Sequence, residues 1–440
     1  MRRCWFLLCI CTGGWLAAQD SLLTLEEAIR IAEKNNALLA VARWDMRKAD
    51  QQVREAYGYA MPSITLDTRY TRALKKPVFF LPDFENPASG KVTPIEIGSN
   101  HSIETGFTAT QALFNFAVFT GVGTAKVYQR TSRALYRSEY NRMVASVKKV
   151  FYQVLLARQV YETTKASLIN AENNFNNVRI LNKQGIVSDY DMIRAEVQVE
   201  NLRPSVISAE QQALVVTNAL KVQLGMDATD PLHIRGELTP VPIDSSWLDE
   251  QRAVTQNAGL EALRLQQDLN AAVSSIRLAE YMPTLAAFGT YQWQAQKNTM
   301  DFGGKDFIST SQVGFTLSLN LFNGFQTTAR LAQSRADERK AEQQLRYTRE
   351  NIRSQMQSIR LRLDEARKRM ASQNRTVELA EKSYKIATTR YATGSGTQLE
   401  VNDADVALLQ ARLNRIHAIY DYLVTCVDLE EMISYHQPQN

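Results

Sequence analysis

From Ile352 onward, apolar residues recur in steps of four and three: Ile352, Met356, Ile359, Leu363, Ala366, Met370, Val377, Ala380, Tyr384, Ala387 and Tyr391, with polar Gln373 in the same frame. Subtracting 209 from each number restores the frame as Met143, Val147, Val150, Val154, Ala157, Tyr161, Thr164, Leu168, Ala171, Phe175, Val178 and Asn182. A sustained 3.5-residue period predicts left-handed coiled-coil packing rather than an ordinary globular helix. No proline interrupts the run from about 325 to 392, which at 1.5 Å per residue could reach roughly 100 Å. Elsewhere the period is two. Val313, Phe315, Leu317, Leu319 and Leu321 alternate with Gly314, Thr316, Ser318 and Asn320. Ile64, Leu66 and Tyr70 follow the same rule, as do Leu285, Ala287, Tyr291 and Trp293, and more weakly Ile103, Phe107 and Leu113. Strands with one apolar face suit a half-buried soluble sheet or a membrane barrel with lipid outside and water inside.

The pattern is duplicated. "YAMPSI" (59–64) recurs as "YMPTL" (281–285), "ALFNFAVF" (112–119) as "NLFNGFQT" (320–327), and "KQGIVSDYDMIRAEV" (183–197) as "YATGSGTQLEVNDADV" (391–406). The last two pairs lie 208 and 209 residues apart, and the first 221, because the first half carries a longer insert around 75–94. Repeats of this kind predict one structural unit used twice. The expected first repeat, 19–239, holds a short helix, strands at about 62–72 and 102–114, a long helix at about 116–183, a turn, and a returning helix at about 189–225. The second, 240–440, holds a short helix, strands at about 284–296 and 311–322, a long helix at about 325–392, a turn, and a returning helix at about 398–433.

Gly185 and Gly394 stand where each long helix must reverse, and glycine supplies the backbone conformation that a tight helix stop needs. Ser188 and Thr397 precede the returning helices, where a hydroxyl can cap free N–H groups. Asp189, Asp191, Glu400 and Asp403 fall in the first turns that follow, where the positive helix end favours carboxylates. Pro204 is expected to kink or break the first returning helix.

Composition narrows the function. The opening "MRRCWFLLCICTGGWLAAQD" has a basic start, a short apolar stretch and small residues at Ala17 and Ala18, the layout of a secretory signal peptide at 1–18. Beyond it, 49 basic residues face 46 acidic ones, a balance that gives no reason to expect nucleic acid. Cys426 stands alone once Cys4, Cys9 and Cys11 leave with the signal, and His101, His233, His417 and His436 are scattered, so neither a disulfide nor a metal site is expected. "FGGKDF" (302–307) has glycines before a lysine but lacks phosphate-loop spacing. No nucleophile–base arrangement stands out, so neither an enzyme nor a cofactor is expected. No apolar run after 18 approaches the ~20 residues of a membrane helix, so entry into a membrane would have to be as a barrel. Four strands cannot close one alone, since membrane barrels need about eight; two chains or three would supply enough.

In this order the chain resembles the TolC-type outer-membrane efflux family, the exit ducts of tripartite pumps and type I secretion. The resemblance rests on "LTLEEAIRIAEKNN" (23–36), the two tyrosine–methionine–proline strand entries, the two "LFN" strand exits and the paired glycine turns. It implies a mainly α fold with a membrane β-barrel: a homotrimer in which each protomer gives four strands to one twelve-stranded barrel and its helices to a periplasmic tunnel. The implied location is the outer membrane and its lipid. The implied partners are a periplasmic membrane-fusion adaptor and an inner-membrane transporter. Adaptor contact would fall on Gly185, Ile186, Val187, Ser188, Gly394, Ser395, Gly396 and Thr397. Glu400 and Asp403 would match the family's inward acidic rings at the constricted entrance. Some relatives carry a basic residue where this chain has Gly396; here the basic residue is Arg194, the repeat partner of Asp403. The expected closed-tip set is therefore Asp191, Arg194, Tyr391, Glu400 and Asp403. The rival reading is a soluble periplasmic coiled-coil adaptor or scaffold.

Overall fold

The structure is a computed structural model that describes residues 22–82, 90 and 92–438. The expected signal peptide and part of the insert lie outside them. The fold is mainly helical with a few strands. Two compact units emerge, one from the described residues up to Ala42 with Tyr136–Ala258 and Arg349 onward, the other from Arg43–Leu135 and Gly259–Thr348.

The second unit centres on a four-stranded antiparallel sheet of β1 (Ser63–Arg72), β4 (His101–Phe114), β5 (Thr284–Lys297) and β6 (Ile308–Ser318), in that spatial order. A separate hairpin pairs β2 (Val78–Pro82) with β3 (Val92–Glu96). Directly paired residues in antiparallel strands share a face. One face therefore carries the rows Ile64–Ala109–Gly289–Val313 and Leu66–Phe107–Tyr291–Ser311, and the other carries Thr65–Thr108–Thr290–Gln312. Tyr70, Trp293 and Phe315 join the apolar face by register. Phe288 is an exception on the hydroxyl- and amide-rich face. Its ring lies across Gly314, where an added Cβ would come within 2.9 Å. The apolar face is not buried: Ile64 is 71% exposed, Val313 89% and Phe315 73%. β1 and β6 each lack an outer partner among the described residues.

The first unit is a helical bundle. Thr24 and Glu27 form a reciprocal capping box at the start of α1 (Leu25–Asn35), which satisfies two free donors. α2 (Ala37–Gly58) begins here and ends in the sheet unit. α3 (Phe116–Lys183) and α7 (Gln326–Ala392) each give residues to both units. α4 (Asp189–Leu224) and α8 (Gln398–Met432) return alongside, while α5 (Glu250–Gln256) and α6 (Ala258–Ala279) open the second half of the sequence. The positions of the 3.5-period frame are buried or half-buried, fully buried from Ile352 to Ala366 and mostly half-buried beyond. Met143, Val147 and Val154 on α3 pack in one cluster with Leu363 and Ala366 on α7, Val216 and Leu220 on α4, and Ile419 and Leu423 on α8. Cys426 lies in the same cluster, where burial pushes its thiol up to about 12, so it serves as an inert apolar side chain.

Helix α4 does not break at Pro204, which lies inside it. Pro204 is exposed, so the carbonyl of Glu200, deprived of its donor, can be met by water.

Candidate functional site

The two helical reversals lie in the helical unit and share a backbone. Gly185 and Gly394 adopt φ of +75° and +73°, the left-handed region open to glycine at little cost. In the first turn Ile186 N–H donates to Leu181 O at 3.0 Å and Gly185 N–H to Asn182 O at 2.9 Å. In the second, Ser395 N–H donates to Arg390 O at 2.9 Å and Gly394 N–H to Tyr391 O at 3.0 Å. Each is a Schellman motif, which satisfies the last carbonyls of a helix. The returning helices start alike: Ser188 Oγ accepts from Asp191 N–H at 3.2 Å and Thr397 Oγ1 from Glu400 N–H at 3.3 Å.

Side chains separate the two. In the first turn the Asn182 amide donates to Val187 O at 3.2 Å and to Asp189 Oδ1 at 2.9 Å, and Ser188 Oγ donates to Asp191 at 2.7 Å. Arg194 lies over the ring of Tyr190 on its own helix, 5.7 Å from the ring centre. In the second turn the Arg390 guanidinium donates to Ser395 O at 3.0 Å and pairs with Glu400 at 3.2 Å. Gly396 lies beneath that contact: an added Cβ would stand 3.0 Å from Arg390 Cβ and 3.1 Å from Glu400 Oε2.

Of the expected tip set, Tyr391 lies within the electrostatic reach of Asp191, with no hydrogen bond between them. Burial, then the Asp191 charge, pushes the Tyr391 phenol up, and its hydroxyl is buried without a partner. Arg194 and Asp403 are not joined, and neither enters an ion pair among the described residues. Ile186, Val187, Ser395 and Thr397 are at least partly exposed at the turns. The groove beside them, about 520 Å³, is lined by Asn173, Asn177, Tyr384, Thr388 and Tyr391.

Sequence reasoning overlooked Arg390 and Asp405. At the offset of 209, Arg390 stands where the first half has Leu181, and that departure was its visible signal. Asp405 is 7% exposed and borders a water-sized cavity with Asn170, Asn174, Gln198, Tyr384 and Asn402. Burial pushes its carboxyl up, while a hydrogen bond from Ser167 and the Arg412 charge hold it down in part.

Comparison with known proteins bears on the arrangement. The profile of the family described as outer membrane efflux protein matches residues 28–226 and 251–434. The outer membrane protein TolC of Escherichia coli K12 is 22% identical, with 97% of this chain and 86% of that protein covered. TolC of Vibrio cholerae is 20% identical over 75% of this chain and 76% of that one. Among solved structures, the outer membrane protein VceC of Vibrio cholerae matches with a TM-score of 0.75 at 16% identity, covering 93% of this chain and 96% of that one. The MtrE outer membrane channel of Neisseria gonorrhoeae gives 0.73 at 16% identity, covering 93% and 88%.

Proposed function

Because this chain belongs to the outer membrane efflux protein family, we propose that it is an outer-membrane exit duct that passively conducts substrates handed over by a periplasmic adaptor and an inner-membrane pump. The supporting observation is the sheet. One face is apolar and exposed, the other is lined with Thr, Ser and Gln, and both edge strands are open. An open edge with a bare apolar face is a liability in water. Both are resolved when copies pair β6 of one with β1 of the next around a polar lumen, inside lipid. Three copies give twelve strands and a homotrimer. The soluble scaffold reading leaves that face without a cover and is not favoured.

In this reading the two halves are one duplicated unit, divided near residue 240. The reversals at Gly185 and Gly394 form the periplasmic tip that meets the adaptor. Asp191, Arg194, Tyr391, Glu400 and Asp403 border the entrance. Carboxylates repeated around a narrow axis make a negative constriction that favours cations. The test is reconstitution of the purified mature protein in planar bilayers. Discrete, cation-preferring conductance supports the duct, and failure to insert or conduct at any protein concentration contradicts it.

A further inference from the structure

The charge at the second reversal is not what its carboxylates alone suggest. Glu400 and Asp403 lie one helical turn apart, yet among the described residues Glu400 has a counter-charge and Asp403 has none. Arg390 is fixed at three points: its carbonyl accepts Ser395 N–H at 2.9 Å, its guanidinium donates to Ser395 O at 3.0 Å, and the same group pairs with Glu400 at 3.2 Å. Gly396 leaves room for the arrangement. A methyl group there would come within 3.1 Å of Glu400 Oε2 and 3.0 Å of Arg390 Cβ, close enough that both side chains would have to shift by a few tenths of an ångström. Asp403 is exposed and has no ion-pair partner among the described residues.

We infer that Arg390 is the residue that sets the selectivity of the entrance: it cancels Glu400 within its own turn and leaves Asp403 as the carboxylate that acts on passing ions. The inference rests on the reading that this turn borders the conduction path. An exposed ion pair adds little to stability, but cancellation of charge requires only proximity, because the field a passing ion meets is the sum of nearby charges. The first reversal offers no equivalent, since Leu181 occupies the position of Arg390.

The test is the cation-to-anion permeability ratio of reconstituted channels carrying Arg390→Gln, Arg390→Lys, Glu400→Gln or Asp403→Asn, each first checked for assembly in the outer membrane. Arg390→Gln releases Glu400 and is expected to raise the ratio about twofold or more, and Asp403→Asn to lower it by a similar factor. Glu400→Gln leaves an uncancelled guanidinium and lowers the ratio. Arg390→Lys keeps the charge and holds the wild-type ratio, which separates charge from packing. If Asp403→Asn lowers the ratio while Arg390→Gln leaves it unchanged, Arg390 does not act as inferred and the entrance reading survives. If all four variants match wild type, the turn does not border the path, and the entrance reading falls together with the inference.

Discussion

The two helical reversals pose the same backbone problem and solve it with different side chains. Both stop a long helix with a glycine near φ +75° and restart one through a hydroxyl cap. The first is then stapled by a neutral amide, Asn182, and its charges, Lys183 and Arg194 against Asp189 and Asp191, sum to zero. The second is clamped by a cation, Arg390, and its charges, with Glu400 and Asp403, leave one negative. Backbone geometry thus fixes where the chain turns, and a few substitutions decide what electrostatic surface the turn presents. Under the proposed duct reading, the first reversal would serve structure alone and the second would also act on passing ions.

The sharpest way to break the comparison is to remove charge from each turn. Replacing Glu400 and Asp403 together by Gln and Asn should lower the cation-to-anion permeability ratio several-fold, on the order expected for a carboxylate-lined constriction. The matching pair Asp191→Asn and Arg194→Gln should leave it near the wild-type value, because no net charge is lost. Equal loss from both would mean that the turns do not differ as described.

Backbone strain should treat the turns alike. Gly185→Ala and Gly394→Ala each force a Cβ into the left-handed region at a cost of about 1–2 kcal/mol, with nothing within 4 Å to add a clash. Thermal unfolding of the assembled protein should show similar drops for the two. A much larger drop for one would reveal a neighbour specific to that turn.

A smaller difference lies one turn further on. Asp405 is buried, whereas its counterpart at the offset of 209, Glu196, is exposed. The folded-state pKa of Asp405 is raised by burial, so the native state holds its proton where the unfolded chain, near 3.9, has released it. Stability should therefore fall as pH rises from that value through the raised one. Asp405→Asn should remove this part of the pH profile and be the more stable near neutrality, whereas Glu196→Gln should leave the profile unchanged. Thermal midpoints measured across that pH range decide it. Smallest of all should be Asn182→Ala, which loses two hydrogen bonds at a half-buried site and about 1 kcal/mol. It should leave conductance intact.

Part of this was legible without coordinates. The seam from Ile352 to Ala366 is buried as its spacing foretold, because a coiled coil has one way to hide a 3.5-residue stripe. The glycine stops were legible for a similar reason, since a helix of that length needs a left-handed residue to end. The β2–β3 hairpin was not. Val78, Phe79, Phe80 and Leu81 are apolar in succession, and periodicity alone cannot tell such a run, as a strand, from a buried helix segment. Nor was the uninterrupted helix at Pro204, whose tolerance depends on exposure. The Arg390–Glu400 pair escaped notice because ten residues separate its members along the chain, and only the reversal brings them together. Local propensity describes the arms of a turn and is silent on what meets across it.

The account depends most on the four-stranded sheet being one part of a closed ring. Light scattering on the detergent-solubilised mature protein, with the detergent mass subtracted, tests this directly. A protein mass of three chains, in particles that insert into lipid, is the predicted result. A single-chain mass that persists in detergent-free buffer, with no binding to vesicles, would contradict it.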